Sequence, residues 1–155
     1  MAADLAPRKI LFSTSEVISA PPSEIWPYLA AIGGERLLIP GCTKSSLLSG
    51  QGEGAIRRIH FGDAIFDERV LECNFETFKL WYEVLEPHPS PAKGVAAVVQ
   101  LHSYDLNKTT ITWTSAADSV PPEHEKYIKE QAKLLCEGQI SSLRRLVESD
   151  SSIAN

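Results

Sequence analysis

The chain has 155 residues, 43% of them hydrophobic and 23% charged, with a net charge of −5. That is enough chain to bury a core without disulfide or metal staples, and the composition suits a folded domain rather than a disordered segment. The acidic balance gives no electrostatic footprint for nucleic acid or for an anionic membrane.

Cys42, Cys73 and Cys136 are widely spaced and form no CxxC pattern, so neither a disulfide framework nor a zinc site is expected. They read as buried thiols in a reducing compartment. Residues 1–9 lack the apolar run of a signal peptide, and no later segment is long enough to span a membrane, which predicts a cytoplasmic protein.

Residues 9–20 alternate as a strand, with Ile10, Phe12, Thr14, Glu16 and Ile18 on one side and Leu11, Ser13, Ser15 and Val17 on the other. Pro21 and Pro22 stop it. Ser23 is then the expected cap of a short helix reaching Ile32, with Ile25, Trp26, Leu29 and Ile32 on one face. Gly33-Gly34 ends that helix, and residues 35–39 form a further turn before Pro40-Gly41. From 42 to 117 the pattern is an antiparallel meander, with strands at 43–48, 54–61, 65–74, 78–86, 94–103 and 109–117. β-Branched and aromatic residues concentrate in them, as a half-buried pleated surface favours.

Pro121 and Pro122 open a last helix that runs to Glu148, about 40 Å at 1.5 Å per residue. Ile128, Ala132, Leu135, Leu143 and Leu146 share its apolar stripe, opposite Lys126, Lys129, Glu130, Lys133, Glu137 and Arg144. Gln139 falls inside the stripe, where a buried amide needs a partner. Residues 149–155 are small and polar and read as a frayed tail. The whole is one α+β domain without internal repeat or linker: a strand, two short helices, six strands and a long helix. A twisted sheet of seven strands curls, and one helix on its concave side cannot fill the concavity, so an internal hydrophobic cavity is expected.

This order of elements resembles the helix-grip fold of the START/SRPBCC superfamily, which includes the birch-pollen-allergen-like proteins. Ile18-Ser19-Ala20-Pro21-Pro22-Ser23-Glu24-Ile25-Trp26 is similar to that family's first strand-to-helix junction. Gly52-Glu53-Gly54-Ala55-Ile56-Arg57 resembles its third strand and Asp67-Glu68-Arg69-Val70 its fourth, while residues 138–148 resemble the end of its closing helix. The likeness covers residues 10–148 and looks closest to the polyketide cyclase/dehydrase-like branch, which also resembles the plant abscisic-acid receptors. That branch contains cyclases, dehydratases and pure ligand binders, so the fold does not decide the activity.

Val95, Ala97, Val99 and Leu101 form one apolar face, and in the resembled family the sixth strand points that parity inward. The same parity turns Arg57, Ile59 and Phe61, then Phe66, Glu68 and Val70, toward the cavity. Leu80, Tyr82, Val84, Ile111, Trp113 and Ser115 follow, and the helix adds Leu135 and Gln139. The result is an apolar chamber with a few polar groups: Glu16, Arg57, Glu68, Tyr82, Ser115 and Gln139. A carboxylate there has its pKa raised by desolvation and lowered by a nearby guanidinium, which suits Glu68 to general acid–base work. Arg57 then holds an enolate or carboxylate oxygen, and Tyr82 donates to a carbonyl.

Other readings stand beside these. Arg57 paired with Glu68 or Glu16 also serves as a structural ion pair, and Gln139 as a core amide bonded to backbone. Tyr82 and Trp113 are ordinary core residues on general burial tendencies, and Glu16 faces solvent if the register slips by one. By position, residues 61–65 and 87–94 match the gate and latch of the receptors. The receptors' own loop motifs are absent, and Pro40 or Gly41 stands near the place of their ligand-binding lysine.

The expected function is a cofactor-free cyclase, dehydratase or isomerase acting on a polyketide-like or other secondary-metabolite intermediate. A non-catalytic carrier of a lipophilic ligand is the alternative, and a co-chaperone-like interaction module a third class. No metal or other cofactor is expected. The partner is a hydrophobic small molecule, without nucleic acid or membrane, and the protein is a monomer or homodimer.

Overall fold

The computed structural model describes the backbone of residues 2–153 and the side chains of residues 4–148. Seven strands form one antiparallel sheet in the order β1-β7-β6-β5-β4-β3-β2. The strands are β1 (Lys9–Ile18), β2 (Cys42–Ser49), β3 (Ile56–Phe61), β4 (Ala64–Asn74), β5 (Lys79–Val84), β6 (Ala96–Asp105) and β7 (Lys108–Ala117). Strands β2 to β7 are a plain meander, and β1 joins its far edge beside β7. The helices are α1 (Ala2–Leu5), α2 (Pro22–Ala30) and α3 (Glu125–Ile153), with 3-10 turns at Glu35–Leu37 and Pro122–His124. The expected tail, 149–155, falls on residues whose side chains lie outside the described ones.

Helix α3 lies across the concave side of the sheet and packs on β1, β7 and α2. The main core forms where α3 and α2 meet the sheet: Ile18, Ile25, Trp26, Leu29, Val70, Leu80, Val99, Leu101, Ile111, Ile140 and Leu143 are all buried there. Gly138 lets the helix come close, since a β-carbon at that position would lie 3.1 Å from Pro40 Cγ. Among the described residues, no helix is long and apolar enough to cross a membrane.

Four details differ from the sequence reading. Ser23 is not a cap. Helix α2 starts two residues earlier, with Pro21 in the cap position, because Pro21 enters at φ −71° and Pro22 needs no partner for an N–H it lacks. A bulge in β1 between Ile10 and Phe12 adds a residue on that strand, so Leu11 turns to the concave side while Ile10 is exposed. Arg144, expected in solvent on α3, reaches back to β1 and pairs with Glu16.

Residues 2–8, which showed no sequence pattern, cover part of the convex face. Leu5 of α1 packs there on Ala96, Val98 and Ala116, with Trp81 at the margin. Asp4 binds Lys79 at 2.7 Å, and Arg8 donates to the Gly94 carbonyl at 2.9 Å.

Candidate functional site

The antiparallel ladders fix which side chains meet. Arg57 stands opposite Glu68 across β3 and β4, Val70 opposite Tyr82 across β4 and β5, and Tyr82 opposite Ala97 across β5 and β6. Ala97 is in turn opposite Ser115, and Val99 opposite Trp113, across β6 and β7. With period-two alternation, this places Arg57, Glu68, Tyr82, Ala97, Trp113 and Ser115 on one concave surface. Between that surface, α3 and the loop 85–95 lies a cavity of about 350 Å³. Its volume is at the lower end of small-molecule sites.

Of the residues expected at the site, Arg57, Phe61, Phe66, Glu68, Tyr82, Val95, Ala97, Trp113, Ser115, Leu135 and Gln139 line this cavity. Three do not. Ile59 is fully buried among Ile39, Cys42 and Phe61, and Val99 belongs to the main core, where α2 and α3 have closed over the sheet. Glu16 keeps its helix-facing parity but lies on the edge strand, where Arg144 Nη1 takes its carboxylate at 2.9 Å.

The polar heart of the cavity is Arg57. Its Nε and Nη2 both reach Glu68 Oε1, at 2.9 and 2.8 Å, and its guanidinium carbon sits 4.6 Å from the centre of the Tyr82 ring. Its Nη1 donates to Glu35 Oε2 at 3.2 Å. Glu35 is itself buried, with both carboxylate oxygens accepting from the Gly33 N–H at 3.0 and 2.9 Å. Gly33 suits this turn because it holds φ at 98°, and a β-carbon there would lie 3.1 Å from the Leu47 nitrogen. Glu68 Oε2 accepts no hydrogen bond among the described residues.

Burial is the strongest influence on Glu68 and raises its pKa, against the opposing pull of the Arg57 charge and hydrogen bond. Burial also opposes the charge on Arg57, but Glu68 and Glu35 together outweigh it and raise the guanidinium's pKa further. The Tyr82 hydroxyl is raised well above its ordinary value, by burial and then by the Glu68 charge. It therefore keeps its proton at neutral pH. The buried Trp113 indole N–H acts on the Tyr82 hydroxyl without forming a full hydrogen bond of its own.

On α3, Gln139 Nε2 donates to the Leu135 carbonyl one turn back at 3.2 Å, which leaves its amide oxygen for the cavity. Cys136, also in the lining, has its thiol pushed up to about 12 by burial, so it stays protonated and is no nucleophile.

The lining also takes in Phe61 and Ala64 at the β3–β4 hairpin, Tyr127 and Gln131 of α3, and residues 88–92 of the long loop. The His88 side chain is buried in this loop, with Nε2 at 3.1 Å from Glu86 Oε1. Sequence reasoning framed this loop as an entrance but gave His88 no part in it. It also missed Glu35, which no periodicity marks, and Leu11, which a bulge turns inward. Cys136 was read only as a buried thiol, although it lies four residues after Ala132 of the apolar stripe. Among the described residues, no group of three or more His, Cys, Asp or Glu is placed to hold a metal ion.

A curled antiparallel sheet gripping a long C-terminal helix above a lined cavity defines the helix-grip class of the START/SRPBCC superfamily. Residues 9–148 match the family described as polyketide cyclase / dehydrase and lipid transport, and the chain belongs to that family. No curated protein matches it. Among solved structures it is similar to a Thermobifida fusca protein, with a TM-score of 0.76 at 20% identity over 86% of this chain and 90% of that one. It is also similar to Ara h 8.0201, with a TM-score of 0.73 at 16% identity over 89% and 97%. The Zhui aromatase/cyclase from a Streptomyces species gives 0.68 at 16% identity over 91% and 92%. At such identities these likenesses concern the fold.

Proposed function

We propose that the protein binds a hydrophobic small molecule in its cavity and acts on it without a cofactor, as a cyclase, dehydratase or isomerase of a polyketide-like or other secondary-metabolite intermediate. The observation that carries this reading is the state of Glu68. One oxygen is gripped by Arg57, the other has no partner among the described residues, and burial raises the pKa of a carboxyl that lines an apolar cavity. Such a group holds its proton to higher pH than an ordinary carboxyl does, which suits it to give that proton to a bound ligand.

In a dehydration, the Glu68 carboxyl gives its proton to a departing hydroxyl, which leaves as water. The resulting carboxylate takes the proton from the carbon beside the ligand's carbonyl, and a C=C bond forms. Tyr82 donates to that carbonyl oxygen, and Arg57 acts by fixing Glu68, since its fork is largely committed to carboxylates. The free thiols suit a reducing compartment, the cytoplasm.

The carrier reading has its own support. Glu35 and Glu68 both pair with Arg57 in a buried ion cluster, an arrangement that balances charge without any chemistry to justify it. Native mass spectrometry of freshly purified protein, followed by denaturing extraction, identifies any co-purifying molecule. Its open-chain or hydrated precursor is then offered to the wild type and to Glu68→Gln. Conversion by the wild type, with turnover lowered about 10²- to 10⁴-fold in Glu68→Gln, is the expected result. Tight, unchanged ligand with both proteins makes it a carrier, and equal turnover by both removes Glu68 from the chemistry.

A further inference from the structure

We propose that Glu35 sets the ligand class of the cavity, making its polar end a site for an uncharged molecule carrying a hydroxyl or carbonyl group and closing it to carboxylates. This rests on the ligand-binding reading above and narrows it.

Among the described residues lining the cavity, Arg57 is the sole Lys or Arg, so it is the natural group to greet an anion. It is not free to do so. Glu68 Oε1 takes its Nε and Nη2, Glu35 Oε2 takes its Nη1 at 3.2 Å, and the Tyr82 ring lies 4.6 Å from its carbon. Two carboxyls face one guanidinium. With both ionised the cluster carries one net negative charge, and with Glu68 protonated it is neutral. In neither state does it offer net positive charge to an incoming carboxylate.

The arrangement is not an accident of a loose side chain. The Glu35 side chain is 5% exposed, and the Gly33 N–H holds both its oxygens at about 3 Å, so it cannot swing away when a ligand arrives. It does not line the cavity and acts through Arg57, so it is a positioning residue and not a catalytic one. What remains open to a ligand is Glu68 Oε2, the Tyr82 hydroxyl, Ser115 and the Gln139 amide. These are partners for a neutral hydroxyl or carbonyl. Rejection by an unanswered charge is a general device of specificity, since it penalises the wrong ligand more than it helps the right one.

The test uses two bicyclic aromatics of like size, 2-naphthol and 2-naphthoate, titrated into the full chain at pH 7 by calorimetry. The wild type is expected to bind 2-naphthol about tenfold or more tightly than 2-naphthoate. Glu35→Gln removes the second counterion, and the ratio is expected to narrow about fivefold or more, chiefly through tighter 2-naphthoate. A merely structural role for Glu35 would weaken both probes together and leave the ratio where it was, which overturns the proposal. So does equal binding of both probes by the wild type, a result that stands whether or not the variant folds. Binding of neither probe defeats the cavity reading itself, and this inference falls with it.

Discussion

Two arginine–glutamate pairs lie on the helix-facing side of the sheet, and their contacts are almost equally short. Arg57 and Glu68 meet at 2.8 Å, and Arg144 and Glu16 at 2.9 Å. The side chains of the first pair are 5% and 7% exposed, those of the second 36% and 26%. Water therefore screens the pair on the sheet edge, while the pair in the cavity sits in a medium where charge is both strongly felt and costly to bury. The Glu68 pKa shows which effect wins: it is raised, even with a guanidinium in contact, because desolvation outweighs the attraction. A contact distance alone does not say what an ion pair does. Its surroundings decide whether it is a reactive group or a surface tie.

Removing Arg57 tests the buried side of this contrast and should give the largest effect. Arg57→Ala leaves Glu35 and Glu68 buried without their shared cation, and about 3–5 kcal/mol of stability should be lost at neutral pH, as measured by urea unfolding. The defect should shrink toward acid pH as Glu68, whose pKa burial raises, takes its proton. A loss no greater than that of an exposed pair would mean that water already enters the cluster.

A smaller effect is expected from pH alone in the unaltered protein. The folded pKa of Glu68 lies above its ordinary value of 4.5. The folded state therefore holds this proton more tightly than the unfolded chain does. The associated stability is fully present below 4.5 and is lost as pH rises through the folded value. Glu68→Gln has no such proton to lose. Between pH 4 and pH 8 the wild type should lose ground on this variant, by about 1.4 kcal/mol for each unit by which the pKa is raised. Parallel pH curves for the two proteins would show that Glu68 is an ordinary carboxylate, and the acid role would go with it.

The same contrast marks what could be read from the sequence. Arg57, Glu68 and Tyr82 were legible because strands repeat every two residues, and because the resembled family says which parity faces in. Glu35 was not, since it lies in a 3-10 turn that has no amphipathic period, and its partner is 22 positions away. Leu11 was misplaced by a bulge that no residue preference announces. Glu16 had the right parity and the wrong neighbour, because strand alternation cannot foresee a long arginine reaching over from α3. The four-residue α1, too short to show a pattern, gave no hint that Leu5 covers the convex face.

The edge pair sharpens the comparison from its other end and should give the smallest effect. Arg144 holds Glu16 through Nη1 and the Val17 carbonyl through Nη2 at 3.0 Å, both on β1, an edge strand with one neighbour. An edge carbonyl covered by a charged side chain is less available to a foreign strand. Glu16→Gln removes the charge and keeps the shape, so the change should stay within about 1 kcal/mol, and about 1 M salt should erase most of it. Ligand affinity should not move, because Glu16 does not line the cavity. If Glu16→Gln instead weakened 2-naphthol binding, the boundary drawn here between cavity and edge would be in the wrong place, and the first strand would belong to the site after all.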